Sequence, residues 1–96
     1  MADKKSSGKN ILIVDDEKLF LKSVADGLKA YEKKHKFRTL TAANGREALA
    51  ILNANEISLL VTDLRMPEMD GLALISHVHN QFPLMPIIVM TAFGSP

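Results

Sequence analysis

Residues 11–17 read Ile11-Leu12-Ile13-Val14-Asp15-Asp16-Glu17. Four apolar residues in a row, three of them β-branched, are what a strand buried on both faces requires. Three acids follow at once, so the strand ends on a negatively charged rim. The next apolar residues, Phe20, Val24, Leu28 and Tyr31, are spaced by four, four and three, which predicts a helix from Glu17 to about Tyr31. A buried strand running straight into an amphipathic helix is the opening unit of an alternating α/β chain.

The rest of the sequence repeats that unit. Phe37–Ala42 mixes polar with apolar residues and predicts an edge strand. Asn44, with Glu47 three residues on, has the pattern of a capping box, and Ala48, Leu49, Ile51 and Leu52 give the helix behind it an apolar face. Ile57–Thr62 predicts a third strand, and Pro67 with Asp70-Gly71 predicts a loop from Leu64 to Gly71. Leu72, Ile75 and Val78 mark a third helix closed at Phe82-Pro83, and Pro86 introduces a fourth strand, Ile87–Met90. The order β-α-β-α-β-α-β implies a parallel sheet covered by helices on both faces, a three-layer sandwich. Right-handed crossovers and the polar second strand at an edge favour the flavodoxin-like order 2-1-3-4.

Composition bounds the function. The chain has 96 residues, 47% hydrophobic and 24% charged, with a formal net charge of +1, which is ordinary globular composition. No apolar run approaches the roughly 20 residues needed to span a bilayer, and the polar first ten residues lack a secretory h-region. With no Cys, disulfides, thiolate metal sites and cysteine nucleophiles are excluded. A cytoplasmic protein with no membrane association is expected, organised as a polar leader over residues 1–9 and one domain over 10–96. The mild overall charge gives no reason to expect direct nucleic-acid binding. Nine of the 12 Lys and Arg lie in residues 1–36, concentrated in the leader and near 31–38, where a Lys-rich stretch reads as a solvated connector or an interaction patch.

Parallel strands share one carboxyl rim, and ligands of such sheets bind there, between strands one and three. Asp15 and Asp16 follow strand one, Asp63 follows strand three, and Thr91 follows strand four. Each has an ordinary alternative: Asp15 or Asp16 as a helix cap, Asp63 as a turn residue, Asp70-Gly71 as a turn and cap. Their convergence on one rim argues otherwise. Carboxylates about 4 Å apart repel by roughly 1–4 kcal/mol per pair, so the cluster needs a cation, a proton or a functional return. An all-oxygen ligand set selects a hard ion, and Mg2+ fits best because it takes few carboxylates, keeps waters and bridges to phosphate. His35, His77 and His79 are not spaced with acids for metal binding, and no Gly-rich phosphate loop or G-x-S-x-G elbow is present.

Val14-Asp-Asp-Glu17, Val61-Thr-Asp-Leu-Arg-Met-Pro-Glu-Met-Asp-Gly71 and Pro86-Ile-Ile-Val-Met-Thr-Ala92 resemble, with the right spacing between them, the motifs of two-component response-regulator receiver domains. The resemblance covers nearly everything from Asn10 onward. It implies Asp63 as the phosphoacceptor, charged from the phosphohistidine of a histidine kinase. It implies Mg2+ held by Asp15, Asp16 and Asp63 with the backbone carbonyl of Arg65, and Thr91 as a switch hydroxyl. Ala92 would leave room for the phosphoryl group, Pro67 and Gly71 would shape the loop, and Arg65 and Phe93 would tune its lifetime. The product is a self-phosphorylating signalling acceptor rather than a turnover enzyme.

A complete receiver continues through a further helix, a fifth strand bearing a phosphoryl-contacting lysine, and a fifth helix. This chain is therefore expected to be a receiver truncated after the fourth strand, lacking the last helix–strand–helix. Phosphoryl uptake is expected to be impaired or altered, and copies to associate through the exposed strand-four edge or by swapping elements. The alternative is a non-phosphorylated dimerisation or scaffold module. A phosphohydrolase with an Asp nucleophile is a poor third, because the position two residues after Asp63 is Arg65 where dehalogenase-like phosphatases usually carry Asp.

Overall fold

A computed structural model describes residues 9–64 and 71–90. Its elements run β1 (Lys9–Val14), α1 (Lys18–His35), β2 (Phe37–Ala42), α2 (Gly45–Ala54), β3 (Leu59–Asp63), α3 (Gly71–Gln81) and β4 (Ile87–Met90). The four strands form one parallel sheet in the order β2-β1-β3-β4. This is the flavodoxin-like winding that the alternation of strand and helix patterns predicts.

Strand alternation divides the core. Leu12 and Val14 of β1, Ala42 of β2 and Leu60 of β3 cluster with Ala48 and Leu52 of α2 and Leu74 and Val78 of α3. Ile13, of opposite parity on β1, is buried outside that cluster, as is Leu21 of α1. The sheet thus lies between α2 and α3 on one face and α1 on the other. Fully burying a leucine contributes about 1.5–3 kcal/mol, and the ten apolar side chains buried among the described residues supply most of the drive to fold.

Four elements depart from the pattern read in the sequence. Helix α1 continues past Tyr31 to His35, so most of the Lys-rich stretch is helix and not connector. Lys is a good helix former, and Lys33, Lys34 and His35 in the last turn sit favourably at the negative end of the helix dipole. The helix stops where Lys36 turns left-handed, at φ 58°, and its N–H donates to the Glu32 carbonyl. The buried contact of α1 is Leu21, while Phe20 and Tyr31 of the expected stripe stay exposed. Strand β3 starts at Leu59, not Ile57: Ser58 N–H is still tying the approach to Asn10 O at 2.8 Å. On α3 the inward face is Gly71, Leu74 and Val78, with Leu72 outside. Strand β1 begins at Lys9, the last residue read as leader.

The cap of α2 forms as its sequence requires. Asn44 Oδ1 accepts the Glu47 N–H at 2.8 Å, and Glu47 Oε1 reaches back to the Ala43 N–H at 2.8 Å.

Candidate functional site

Register brings the acids together. β1 lies between β2 and β3, and Val14 is paired with Thr62, so the residues after Val14 and the last residue of β3 reach the rim side by side. Asp15, Asp16 and Asp63 each present a carboxylate oxygen, and these atoms lie within 4.8 Å of one another. Asp15 is buried, Asp63 half-buried and Asp16 exposed, so the cluster opens from the sheet toward solvent.

The local backbone explains the placement. The Asp15 N–H donates to Ala42 O at 3.1 Å, extending the β1–β2 ladder one residue past the strand. Asp15 Oδ1 then accepts the Glu17 N–H at 2.8 Å, turning the chain into α1. The helix-cap reading of Asp15 is therefore true of one of its oxygens. Glu17 is the N-cap residue and makes no side-chain cap bond itself. On β3, Thr62 is fully buried and its hydroxyl donates to Asp63 O at 3.0 Å.

Gly71 closes the far side. Its N–H donates to Leu64 O at 2.8 Å, and a Cβ there would run into the Asp63 carbonyl oxygen and the Leu64 Cα. A glycine lets the start of α3 pack directly on the backbone that carries Asp63. Beside the rim, a cleft of about 280 Å³ is lined by Lys18, Leu21, Lys22, Ala25, Thr41 and Glu47, among others. The sequence reading did not single this cleft out. Its only linear trace is Lys18, Leu21, Lys22 and Ala25, one helix face directly behind the acids.

The electrostatics match the geometry. The Asp15 carboxyl is pushed above its ordinary 3.8, first by burial and then by the charges of Asp63, Asp16 and Glu17, against the lowering pull of the Glu17 N–H. A site that charges itself this way gains from a cation. Asp15, Asp16 and Asp63 would hold Mg2+, an ion that takes carboxylate oxygens and keeps several of its waters. The all-carboxylate donor set fits that ion. Arg65, Pro67, Asp70, Thr91, Ala92 and Phe93 lie outside the described residues.

The model of the response regulator receiver domain matches residues 11–96. The chain belongs to the response-regulator receiver family. This receiver is 38% identical over 86 residues to the transcriptional regulatory protein GlrR of Escherichia coli K12, covering 90% of this chain and 18% of that protein. Among solved structures, chemotaxis protein CheY4 of Vibrio cholerae superposes with a TM-score of 0.80 at 30% identity, covering 93% of this receiver and 72% of that chain. TrrA of Thermotoga maritima, solved in complex with Mg(2+)-BeF, gives a TM-score of 0.71 at 30% identity, covering 90% and 71%. The receiver thus spans less than a fifth of GlrR and about 70% of these solved receivers.

Proposed function

We propose that this receiver accepts a phosphoryl group on the Asp63 carboxylate from the phosphohistidine of a histidine kinase, in a two-component relay. The observation that carries the reading is the convergence of the Asp15, Asp16 and Asp63 oxygens within 4.8 Å on the carboxyl rim. A carboxylate oxygen of Asp63 attacks phosphorus in line, the P–N bond breaks, and its electron pair returns to the donor imidazole. Asp15 and Asp16, with Asp63 and the Arg65 carbonyl, would hold Mg2+, which when bound neutralises charge on the transferring group. The Glu17 N–H donates to Asp15 Oδ1 at 2.8 Å, which fixes the orientation of that carboxylate.

Thr91 is the switch hydroxyl in this reading, and the product is a signalling acceptor that modifies itself once and not a turnover enzyme. We place it in the cytoplasm, away from membranes; no helix among the described residues is long and apolar enough to cross one. Copies of the chain are proposed to associate.

The test is exposure to Mg2+ and beryllofluoride, followed by amide chemical shifts. Wild type is expected to shift around residues 15–17 and 63–64, and Asp63→Asn to stay silent. Equal shifts in both proteins would remove Asp63 from its role.

A further inference from the structure

Among the described residues two polar side chains are buried, Asp15 and Thr62, and both stand at the rim. Asp15 has its part in the carboxylate cluster, whereas Thr62 has none there. Thr62 pairs with Val14 across the sheet and shares the parity of Leu60, so its side chain lies on the face covered by α2 and α3. Its neighbours on that face, Val14, Leu60 and Leu74, are fully buried and apolar. A valine has nearly the same shape and no polar atom to satisfy, so packing alone does not call for a hydroxyl here. A hydroxyl cut off from water needs a partner inside the protein. The one it takes is the carbonyl of the acceptor residue itself: Thr62 Oγ1 donates to Asp63 O at 3.0 Å.

That carbonyl sits in a tight place. It is the atom that a Cβ on Gly71 would meet first, and the next carbonyl along, Leu64 O, accepts the Gly71 N–H at 2.8 Å. Two successive peptide groups leaving Asp63 are thus held, one by Thr62 and one by Gly71. Peptide groups are planar, so a fixed carbonyl fixes the ψ of its own residue. Asp63 is the last residue of β3 and the last to pair with β4. Where the ladder stops steering the chain, the hydroxyl takes over.

We propose that Thr62 is a positioning residue for phosphoryl uptake. Its hydroxyl holds the Asp63 carbonyl against the start of α3, and so sets the direction in which the carboxylate and the following backbone leave the strand. Fully buried, Thr62 touches neither the phosphoryl group nor the ion. Its effect passes through Asp63, the nucleophile, and through the backbone that leads to the Arg65 carbonyl. This role rests on the phosphoacceptor reading above.

Two variants separate positioning from packing. Thr62→Val keeps the shape and removes the hydroxyl, whereas Thr62→Ser keeps the hydroxyl and removes a methyl. A side chain that only fills space makes Thr62→Ser the more damaging change; one that positions Asp63 reverses the order at the site. In the 96-residue chain with Mg2+, Thr62→Val is expected to bind beryllofluoride about tenfold more weakly than wild type, and Thr62→Ser within about threefold of it. Amide-shift titrations give the affinities, and urea unfolding of the same samples reads the packing contribution. Wild-type affinity in Thr62→Val would overturn the proposal, as would losses that simply follow the unfolding stabilities of the two variants. A second readout needs no ligand. The Gly71 amide is bonded to Leu64 O, and its hydrogen exchange is expected to quicken about tenfold in Thr62→Val and to stay near wild type in Thr62→Ser. An unchanged Gly71 amide in Thr62→Val would also overturn the proposal. A wild type silent to beryllofluoride would sink the phosphoacceptor reading and Thr62's part in it, while exchange at Gly71 would still decide whether the hydroxyl holds this backbone.

Discussion

Asp15 holds two commitments with one side chain: an oxygen spent on the Glu17 N–H and a charge set against Asp63 and Asp16. Its folded pKa lies above the 3.8 of the unfolded chain, so between those two values the folded state binds more protons. Stability therefore falls as pH rises through that window, and the full cost is present at neutral pH. Asp15→Asn keeps an acceptor for the Glu17 N–H and removes the charge. The metal-free variant is expected to melt a few degrees above wild type at pH 7, with the gap closing as pH falls below 3.8. A lower melting temperature for the variant at pH 7 would show that repulsion is not what Asp15 contributes.

At the scale of elements, the informative contact is the one between the start of α3 and the end of β3. Gly71 lies against the backbone of Asp63 and Leu64 with no room for a Cβ, so Gly71→Ala must push α3 off the strand. A loss of about 1–3 kcal/mol in urea unfolding is expected, together with weakened beryllofluoride response because Asp63 moves. Unchanged stability would mean the contact is looser than described. The same scale shows what could be read in advance. β2 and β4 were legible to the residue, bounded by a change of pattern at Phe37 and by Pro86. The end of α1 was not, because Lys33, Lys34 and Lys36 read alike in sequence while only Lys36 adopts a left-handed backbone. Nor could the exposed Leu72 be told from the buried Leu74, since both suit a helix and only the packing of Gly71 sets its rotation. At the site, topology alone brought Asp15, Asp16 and Asp63 together. Which of them would be buried, and the glycine contact behind them, depend on three-dimensional packing that no linear spacing encodes.

For the whole molecule, a charge cluster held at the rim makes stability responsive to divalent ions. Mg2+ at one hundred times its dissociation constant adds about 2.7 kcal/mol, which for a domain this size is roughly 10–20 °C in melting temperature. Wild type is expected to show that rise and to lose it on adding EDTA, while Asp16→Asn shows little of it. An equal rise in the variant would place the ion elsewhere.

The central position of β1 also has a consequence in time. Of the four strands in this sheet β1 is made before the others and is flanked by β2 and β3, so it has no partner in the sheet until later sequence has emerged. Asp15 and Asp16 are made about 47 residues before Asp63, a delay of roughly 2–9 seconds at ordinary rates of synthesis. During that interval β1 can be paired only by β2, and the nascent chain carries two rim carboxylates without the third. The three-carboxylate rim therefore comes into being only once β3 has been made, while α3 and β4 are still to come.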